Sequence, residues 1–204
     1  VAMKSITFTD KERVVGDIPQ EMMEQAVAAR RALIEKLADF DDDIANLYLE
    51  DAEISQDVLM AAIRKETINL SITPVLCGAA YKNKGVQLLL DAIVDYLPSP
   101  TDLGAVIAHD PYDEEKTYQR HPSANEPFSA LAFKLINDPF VGQQTFIRIF
   151  SGKLANGTSV YNTNKTKNER VGRIFRIKAK EREEITEAGP GEIVALVGMK
   201  YTRT

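Results

Sequence analysis

Residues 72–97 read ITPVLCGAAYKNKGVQLLLDAIVDYL, and this stretch decides the fold class of the first half of the chain. Its first six residues are a short apolar run with β-branched members, which predicts a buried strand ending in a tight loop at Gly78-Ala79-Ala80. A helix is predicted after the loop, because apolar residues recur at helical spacing: Val86, Leu89, Leu90, Ile93, Val94 and Leu97. Pro98 and Pro100 end this helix. A strand, a loop and a returning helix would form the last unit of an α/β domain, and we expect its other strands to be missing from this chain.

Three helices are predicted upstream of this unit. The first begins after Asp17-Ile18-Pro19 and runs for roughly twenty residues. Its predicted apolar stripe consists of Met22, Ala26, Ala29, Leu33, Leu37 and Phe40. Its opposite face carries the acidic residues Glu21, Glu24, Glu35 and Asp39. Asp41-Asp42-Asp43 is predicted to cap a second, short helix through Leu49, since aspartate side chains accept hydrogen bonds from unpaired amides. A third helix starts at Ser55, with Ile54 and Leu59 as a hydrophobic staple, and runs to about Glu66.

Beyond Pro100 the helical period disappears. Residues 101–126 contain scattered prolines and four consecutive charges, which predicts a linker or a long loop. Short, β-rich runs follow, separated by turn signals such as Asn156-Gly157. They lie at 128–134, 144–150, 158–161, 171–177 and 193–197. Such spacing predicts a small barrel or sandwich. The residues after 197 show no further strand pattern that would complete a barrel.

The predicted fold class is therefore a multidomain α+β protein. Residues 1–100 would form a helical region with the last strand-loop-helix of an α/β domain, 101–126 a linker, and 127–204 a small β-barrel.

The net charge of −5 conceals an uneven distribution. Residues 1–100 contain 10 Lys and Arg against 17 Asp and Glu, whereas residues 127–204 contain 13 against 7. An acidic module, suited to basic protein partners, thus precedes a basic one that could follow a phosphate backbone. No stretch approaches the roughly 20 apolar residues of a membrane helix. The single cysteine, Cys77, cannot form an internal disulfide, and we expect a cytoplasmic protein without a membrane partner.

The sequence contains no catalytic or metal-binding pattern. A GTPase needs a GxxxxGK[ST] loop for the nucleotide phosphates, and this sequence contains none. Asn83-Lys84-Gly85-Val86 and Asn164-Lys165-Thr166-Lys167 begin like the guanine-selecting Asn-Lys-x-Asp, but both lack its aspartate. His109 and His121 match no nucleophile or metal-ligand spacing. We expect no catalytic residue, no metal and no cofactor in this chain.

A basic stretch runs from Lys165 to Lys178, and its candidate RNA contacts are Lys165, Lys167, Arg170 and Arg173. Contacts to phosphates would make binding salt-sensitive and independent of sequence. The alternative is a solvated strand face without a ligand.

The motifs of the two halves together resemble elongation factor G. Residues 77–87 are similar to that family's C-G-S-A-x-K-N-K-G-V-Q, and Asp95-Tyr96-Leu97-Pro98-Ser99-Pro100 continues the match. Residues 126–134 and Asp138-Pro139-Phe140-Val141-Gly142 resemble the opening of the family's second domain. Arg182-Glu183-Glu184-Ile185 resembles a later loop of that domain. These matches occur in the family's order over nearly the whole chain.

The resemblance implies that this chain is an internal fragment of a ribosomal translocase, a GTPase that uses GTP and Mg²⁺ when intact. Residues 1–100 would be the helical insertion and the C-terminal end of its P-loop GTPase-type α/β domain, and 127–204 most of its second domain, a translation-factor-type β-barrel. Gly78, Ala79, Ala80 and Tyr81 would be the remnant of its guanine-binding loop, in which the Ala80 amide meets the oxygen of the base. Ala79 stands where the family usually has serine. The acidic helices resemble the insertion that contacts the ribosomal stalk protein, and the barrel resembles the domain that contacts small-subunit ribosomal RNA. The fragment itself would dock on the ribosome without hydrolysing GTP.

Two alternatives remain open at the level of sequence. The chain could be a non-enzymatic adaptor that binds RNA through its barrel and a protein through its helices. It could also come from a ribosomal-protection paralogue, since the loop Lys178-Ala179-Lys180-Glu181-Arg182 departs from the commoner His-Ala-Asn-Lys-Arg.

Overall fold

The computed structural model describes residues 1–9, 12–110, 112–113, 115–138 and 142–204. The chain divides into two compact units, Val1–Leu97 and Pro98–Thr204, and each has its own hydrophobic core. The motif at 138–142 includes Pro139, Phe140 and Val141, which lie outside the described residues.

The first unit is mainly helical. Its elements are the hairpin β1 (Ser5–Phe8) and β2 (Arg13–Gly16), the helices α1 (Gln20–Ala38), α2 (Asp42–Leu49) and α3 (Gln56–Ile68), a 3₁₀ turn (Ala80–Lys82), and α4 (Val86–Tyr96). The three acidic helices and the helix after the loop thus form as the sequence predicts, whereas the β1–β2 hairpin carries no signal that we recognised.

Seven buried side chains form the core of this unit: Ile34, Leu37, Ile44, Ile54, Leu59, Ala62 and Ile63. Only Leu37 of the six residues in the predicted α1 stripe is among them, and Met22 and Phe40 are exposed. The stripe prediction is therefore wrong for the N-terminal half of α1. The core forms around the C-terminal half of α1, and periodicity alone does not show how far along a helix its partners extend.

Helix capping follows the sequence signals closely. The Asp41 side chain accepts a hydrogen bond from the Ile44 amide at 3.0 Å, and Ser55 accepts one from Val58 at 3.4 Å. Ile54 and Leu59, the predicted staple, are both buried in the same core. The first helix differs, because its cap position is Pro19, while Asp17 instead accepts a bond from the Lys4 ammonium at 2.7 Å.

Asp41 is buried and also accepts a bond from the Lys65 ammonium at 2.8 Å. Burial by itself raises the pKa of this carboxyl group, but the bonds from Lys65 and Ile44 outweigh burial and lower the pKa. A lowered folded-state pKa contributes stability above the unfolded pKa, and this stability is lost as the pH falls through the folded value. The Asp41 ion pair therefore stabilises the first unit at neutral pH and not in acid.

We expect Asp41→Ala to lower the free energy of unfolding by about 1–2 kcal/mol at pH 7, since the α2 cap is lost. Asp41→Asn keeps the capping oxygen and loses only the charge, so it should lower the free energy of unfolding by less than Asp41→Ala does. This difference from the wild type should become smaller still between pH 7 and pH 3. Urea unfolding at both pH values measures this. If the difference in unfolding free energy between Asp41→Asn and the wild type is the same at pH 7 and pH 3, the ion pair does not contribute to stability.

The predicted strand at 72–77 is not formed. Among the described residues this segment has no ladder partner, and the Val75 side chain is 86% exposed. A strand exists only through hydrogen bonds to a neighbouring strand, so an apolar β-rich run without a neighbour remains irregular.

Helix α4 does form, although none of its residues is buried. Arg64 of α3 holds its C-terminal end by donating to the carbonyl oxygens of Val94, Asp95 and Leu97 at 3.2, 2.8 and 3.2 Å.

The second unit is built from antiparallel strands. They are β3 (Val106–His109), β4 (Thr117–Arg120), β5 (Ser129–Asp138), β6 (Gly142–Ser151), β7 (Leu154–Ala155), β8 (Ser159–Asn162), β9 (Lys167–Arg170), β10 (Arg173–Lys178), β11 (Glu181–Ile185), β12 (Glu187–Ala188) and β13 (Ile193–Val197). All five predicted strand regions contain strands. The β3–β4 hairpin lies inside the segment that the sequence indicates as a linker.

Five of these strands form one sheet in the order β11-β10-β13-β6-β5, and β3–β4, β7–β12 and β8–β9 pair separately. The core of the unit contains Ile147, Ile149, Leu154, Val171, Ile174, Ala188, Val194, Leu196 and Met199. It draws on the large sheet, on β7 and β12, and on Val171 and Met199 beside the strands. Helices followed by a barrel-like set of strands confirm the predicted fold class.

Candidate functional site

The loop predicted to contact guanine is a closed turn at the start of α4. The Ala79 amide donates to the Lys84 carbonyl at 2.9 Å, and the Lys84 amide donates back to Ala79 at 3.1 Å. Gly85 has φ +82°, and a Cβ there would lie 3.2 Å from the Cys77 carbonyl oxygen. The turn therefore requires glycine at this position.

The loop is open to solvent, and the Tyr81 side chain is fully exposed. Within the described part of the chain, the amide of Ala80 donates to no acceptor. This amide is thus available to a ligand. Contact of Gly78, Ala79, Ala80 and Tyr81 with guanine stays a prediction.

The β8–β9 hairpin carries three of the four basic residues predicted to contact RNA. Lys165 lies in its turn, where the Lys165 amide donates to the Asn162 side-chain oxygen at 3.0 Å. Lys167 is paired with Asn162, and Arg170 with Ser159. Because side chains alternate along a strand, Lys167 and Arg170 lie on opposite faces of the hairpin. The Arg170 guanidinium also donates to the Gly157 carbonyl at 3.2 Å.

Arg173 lies on a different sheet, in β10, and its charge is partly balanced. Its guanidinium lies 3.8 Å from the Glu184 carboxylate of the neighbouring strand β11. Further along β10, Arg176 pairs with Glu192 at 2.6 Å and Lys178 with Glu183 at 3.4 Å. The stretch that is mainly basic in the sequence thus divides into a hairpin whose two lysines have no carboxylate within 4.0 Å among the described residues, and a strand whose cations face carboxylates.

Glu169 of β9 holds the C-terminal segment against this hairpin. Its carboxylate is buried and accepts four hydrogen bonds: from the Asn162 amide group at 2.7 Å, the backbone amides of Lys200 and Tyr201 at 2.8 Å each, and the Thr202 hydroxyl at 2.7 Å. Burial raises the pKa of this group, but these donors outweigh burial and lower the pKa. Glu169 is therefore a charged acceptor at neutral pH.

Tyr201 is the residue of this region that sequence reasoning missed. Tyr201 is 48% exposed, and the Lys167 ammonium lies 5.1 Å from the centroid of its ring. The two residues are 34 positions apart, and no local pattern connects them. The available signal was Glu169 itself, a lone acidic residue within a basic stretch.

The four acidic residues predicted to contact a protein differ in their surroundings. The Glu35 carboxylate accepts bonds from the Tyr48 hydroxyl at 2.5 Å and from Arg31 at 3.0 Å, and these bonds lower its pKa. Asp39 pairs with Lys36 at 3.0 Å. Glu21 and Glu24 are exposed near the N-terminus of α1, and neither has an ion-pair partner among the described residues.

The described residues hold neither a metal cluster nor a membrane helix. They contain no group of three or more potential metal ligands. In the same part of the chain, no helix is both long and apolar enough to span a membrane.

Comparison with solved structures finds the same fold in a protein from Thermus thermophilus. The match has a TM-score of 0.71 at 23% sequence identity, and it covers 96% of this chain and 26% of the other. The chain therefore spans about a quarter of the length of that protein.

Residues 127–204 match the family model described as Elongation factor G domain 2. This match defines the class of the second unit: residues 127–204 form a domain of a translation elongation factor. Within that class its barrel segment belongs to the elongation factor G family. The match and the fold confirm the recognition that the motifs of residues 77–100 and 126–185 indicate.

Proposed function

We propose that this chain supplies ribosome-docking surfaces to a translocase that uses GTP to move messenger and transfer RNAs through the ribosome. The observation that carries the proposal is the β8–β9 hairpin within the elongation factor G domain 2 segment. Its lysines, Lys165 and Lys167, are exposed and have no carboxylate within 4.0 Å among the described residues. Lysines without a carboxylate partner, on a segment that matches elongation factor G domain 2, suit contact with the phosphates of small-subunit ribosomal RNA.

The first unit would supply a second contact, to the ribosomal stalk protein. Glu21 and Glu24 are its better candidates, because they are exposed and not engaged within the described chain. Glu35 and Asp39 would first have to leave Tyr48, Arg31 and Lys36. Charge complementarity of this kind mainly raises the association rate.

The whole protein would bind GTP and Mg²⁺ in the cytoplasm, with Gly78 to Tyr81 as one edge of its nucleotide site. This chain has no phosphate-binding loop, so its own contribution to that site is limited to the base contact of the Ala80 amide. The role of the chain would thus be docking and not hydrolysis.

Sedimentation of the chain with purified small ribosomal subunits tests the proposal. We expect co-sedimentation at low salt that falls steeply as salt rises, and that GTP with Mg²⁺ does not change. The double variant Lys165→Gln/Lys167→Gln should weaken binding about tenfold. The matched control is Arg173→Gln/Lys178→Gln, which removes two cations that already face carboxylates and should change binding less than about twofold.

Absence of co-sedimentation at low salt would contradict the docking proposal. Equal losses in the two double variants would show that total charge, and not the hairpin, carries the binding. Tight binding of GTP by this chain would contradict the expectation that it lacks the nucleotide site.

A further inference from the structure

One surface of the second unit combines cations with an exposed aromatic ring. We call it the basic-aromatic patch and define it as Lys165, Lys167, Lys200, Tyr201 and Arg203. It joins the turn of the β8–β9 hairpin to the segment after β13, two parts of the chain more than thirty residues apart. The buried Glu169 carboxylate makes this junction, because it accepts hydrogen bonds from both segments.

The patch has a positive charge that no carboxylate of the described residues balances by an ion pair. All four of its cationic residues are exposed, and in the described parts of the chain none has a carboxylate within 4.0 Å. Glu169 is the only carboxylate of the hairpin, and it is buried and already accepts four bonds. Elsewhere in this unit carboxylates face cations, as in Lys153–Glu187 at 2.9 Å and in the pair Arg182–Asp138. An anionic partner therefore fits here better than on the β10–β11 face.

The exposed ring of Tyr201 indicates which class of anion the patch would bind. It lies beside Lys167, and about half of its surface remains open. Proteins that bind single-stranded nucleic acid combine a positive groove with exposed aromatic side chains on which unpaired bases stack. Duplex RNA is recognised through its shape and backbone and offers no open base face. A ring among unpaired cations thus favours a single strand over a duplex.

We propose that the basic-aromatic patch binds an unpaired nucleotide of RNA, with the base stacked on Tyr201 and the flanking phosphates on Lys167, Lys165 and Arg203. This inference rests on the proposed RNA contact of the barrel and specifies its chemistry. Glu169 is a positioning residue of the site, since its bonds to the Lys200 and Tyr201 amides fix the ring next to Lys167.

The test measures fluorescence anisotropy of a labelled twelve-nucleotide single-stranded RNA, and of a duplex of the same length, against the intact 204-residue chain over a salt series. Tyr201→Leu should weaken single-strand binding about tenfold and leave the salt slope unchanged, because stacking and not charge is lost. Lys167→Gln should reduce the slope by about one phosphate contact. Tyr118→Leu is the matched control, since Tyr118 is an exposed tyrosine of β4 whose hydroxyl already donates to the Asp110 carboxylate at 2.9 Å, and it should leave binding unchanged.

A Tyr201→Leu chain that binds single strands as tightly as the wild type overturns the inference, and so does tighter binding of the duplex. Circular dichroism of each variant establishes that it is folded. The ribosome assay separates the two proposals. Co-sedimentation that Lys165→Gln/Lys167→Gln weakens, together with single-strand binding that Tyr201→Leu leaves intact, retains the docking function and rejects the patch. Tyr201-dependent binding of single strands without co-sedimentation supports the patch and rejects the docking function.

Discussion

Gly152→Ala is expected to destabilise the second unit by about 3 kcal/mol or more. Gly152 has φ +70°, a conformation in which a Cβ is strained whatever the surrounding space. The space is also filled by backbone: a Cβ would lie 2.6 Å from the Phe128 amide nitrogen and 2.7 Å from the Glu126 carbonyl oxygen. Backbone cannot turn aside as a side chain can, so the segment before β5 would have to move away from the end of β6.

Gly157→Ala is the matched control for this prediction. Gly157 also has a positive φ, +79°, but among the described residues a Cβ there would meet only the Arg170 guanidinium, at 3.5 Å. Its cost should therefore be the conformational strain alone, about 1 kcal/mol. Urea unfolding followed by circular dichroism measures both variants. Equal losses would show that the close approach of residues 126–128 to Gly152 contributes nothing.

Glu169→Ala is expected to cost about 3 kcal/mol, because it leaves several buried or half-buried donors without their acceptor. They are the Lys200 and Tyr201 amides, the Thr202 hydroxyl and the Asn162 amide group. Glu169→Gln should cost about 1 kcal/mol, since one remaining oxygen can still accept from the two backbone amides. Hydrogen exchange of the Lys200 and Tyr201 amides reports the loss locally, and urea unfolding reports it globally.

The same carboxylate predicts a pH dependence. Its folded-state pKa is lowered, so its contribution is present above the unfolded pKa and disappears as the pH falls through the folded value. The wild type should therefore lose stability below about pH 4, and Glu169→Gln should lose less over the same interval. Parallel losses in both proteins would assign the acid sensitivity to other carboxylates.

Local signals predicted most of the elements. The caps at Asp41 and Ser55 and the spacing of Leu89, Leu90 and Ile93 mark their helices through contacts within one or two turns. The β1–β2 hairpin, and the β3–β4 hairpin within the predicted linker, were not predicted. Two other predictions failed for one shared reason. The strand at 72–77 and the buried stripe of α1 both depend on a partner from elsewhere, and periodicity shows what a segment can bury and not what covers it.

The candidate site shows the same division. The basic residues and the motif Cys77 to Gln87 were visible in the sequence, and so was the elongation factor G family. The sequence did not show which cations have a carboxylate partner. Arg173 lies near Glu184 because their strands are paired, and Lys167 lies near Tyr201 because Glu169 holds the segment of Tyr201 against the hairpin. The four helices, five of the strand regions and the separation of acidic from basic modules could be predicted from the sequence, because they depend on composition and on neighbours a few residues away, and the class of protein could be predicted from its motifs. Which charges are balanced, and where a ring lies beside a cation, became visible in the folded chain alone, because hydrogen bonds and ion pairs join atoms that are close in space and not in sequence.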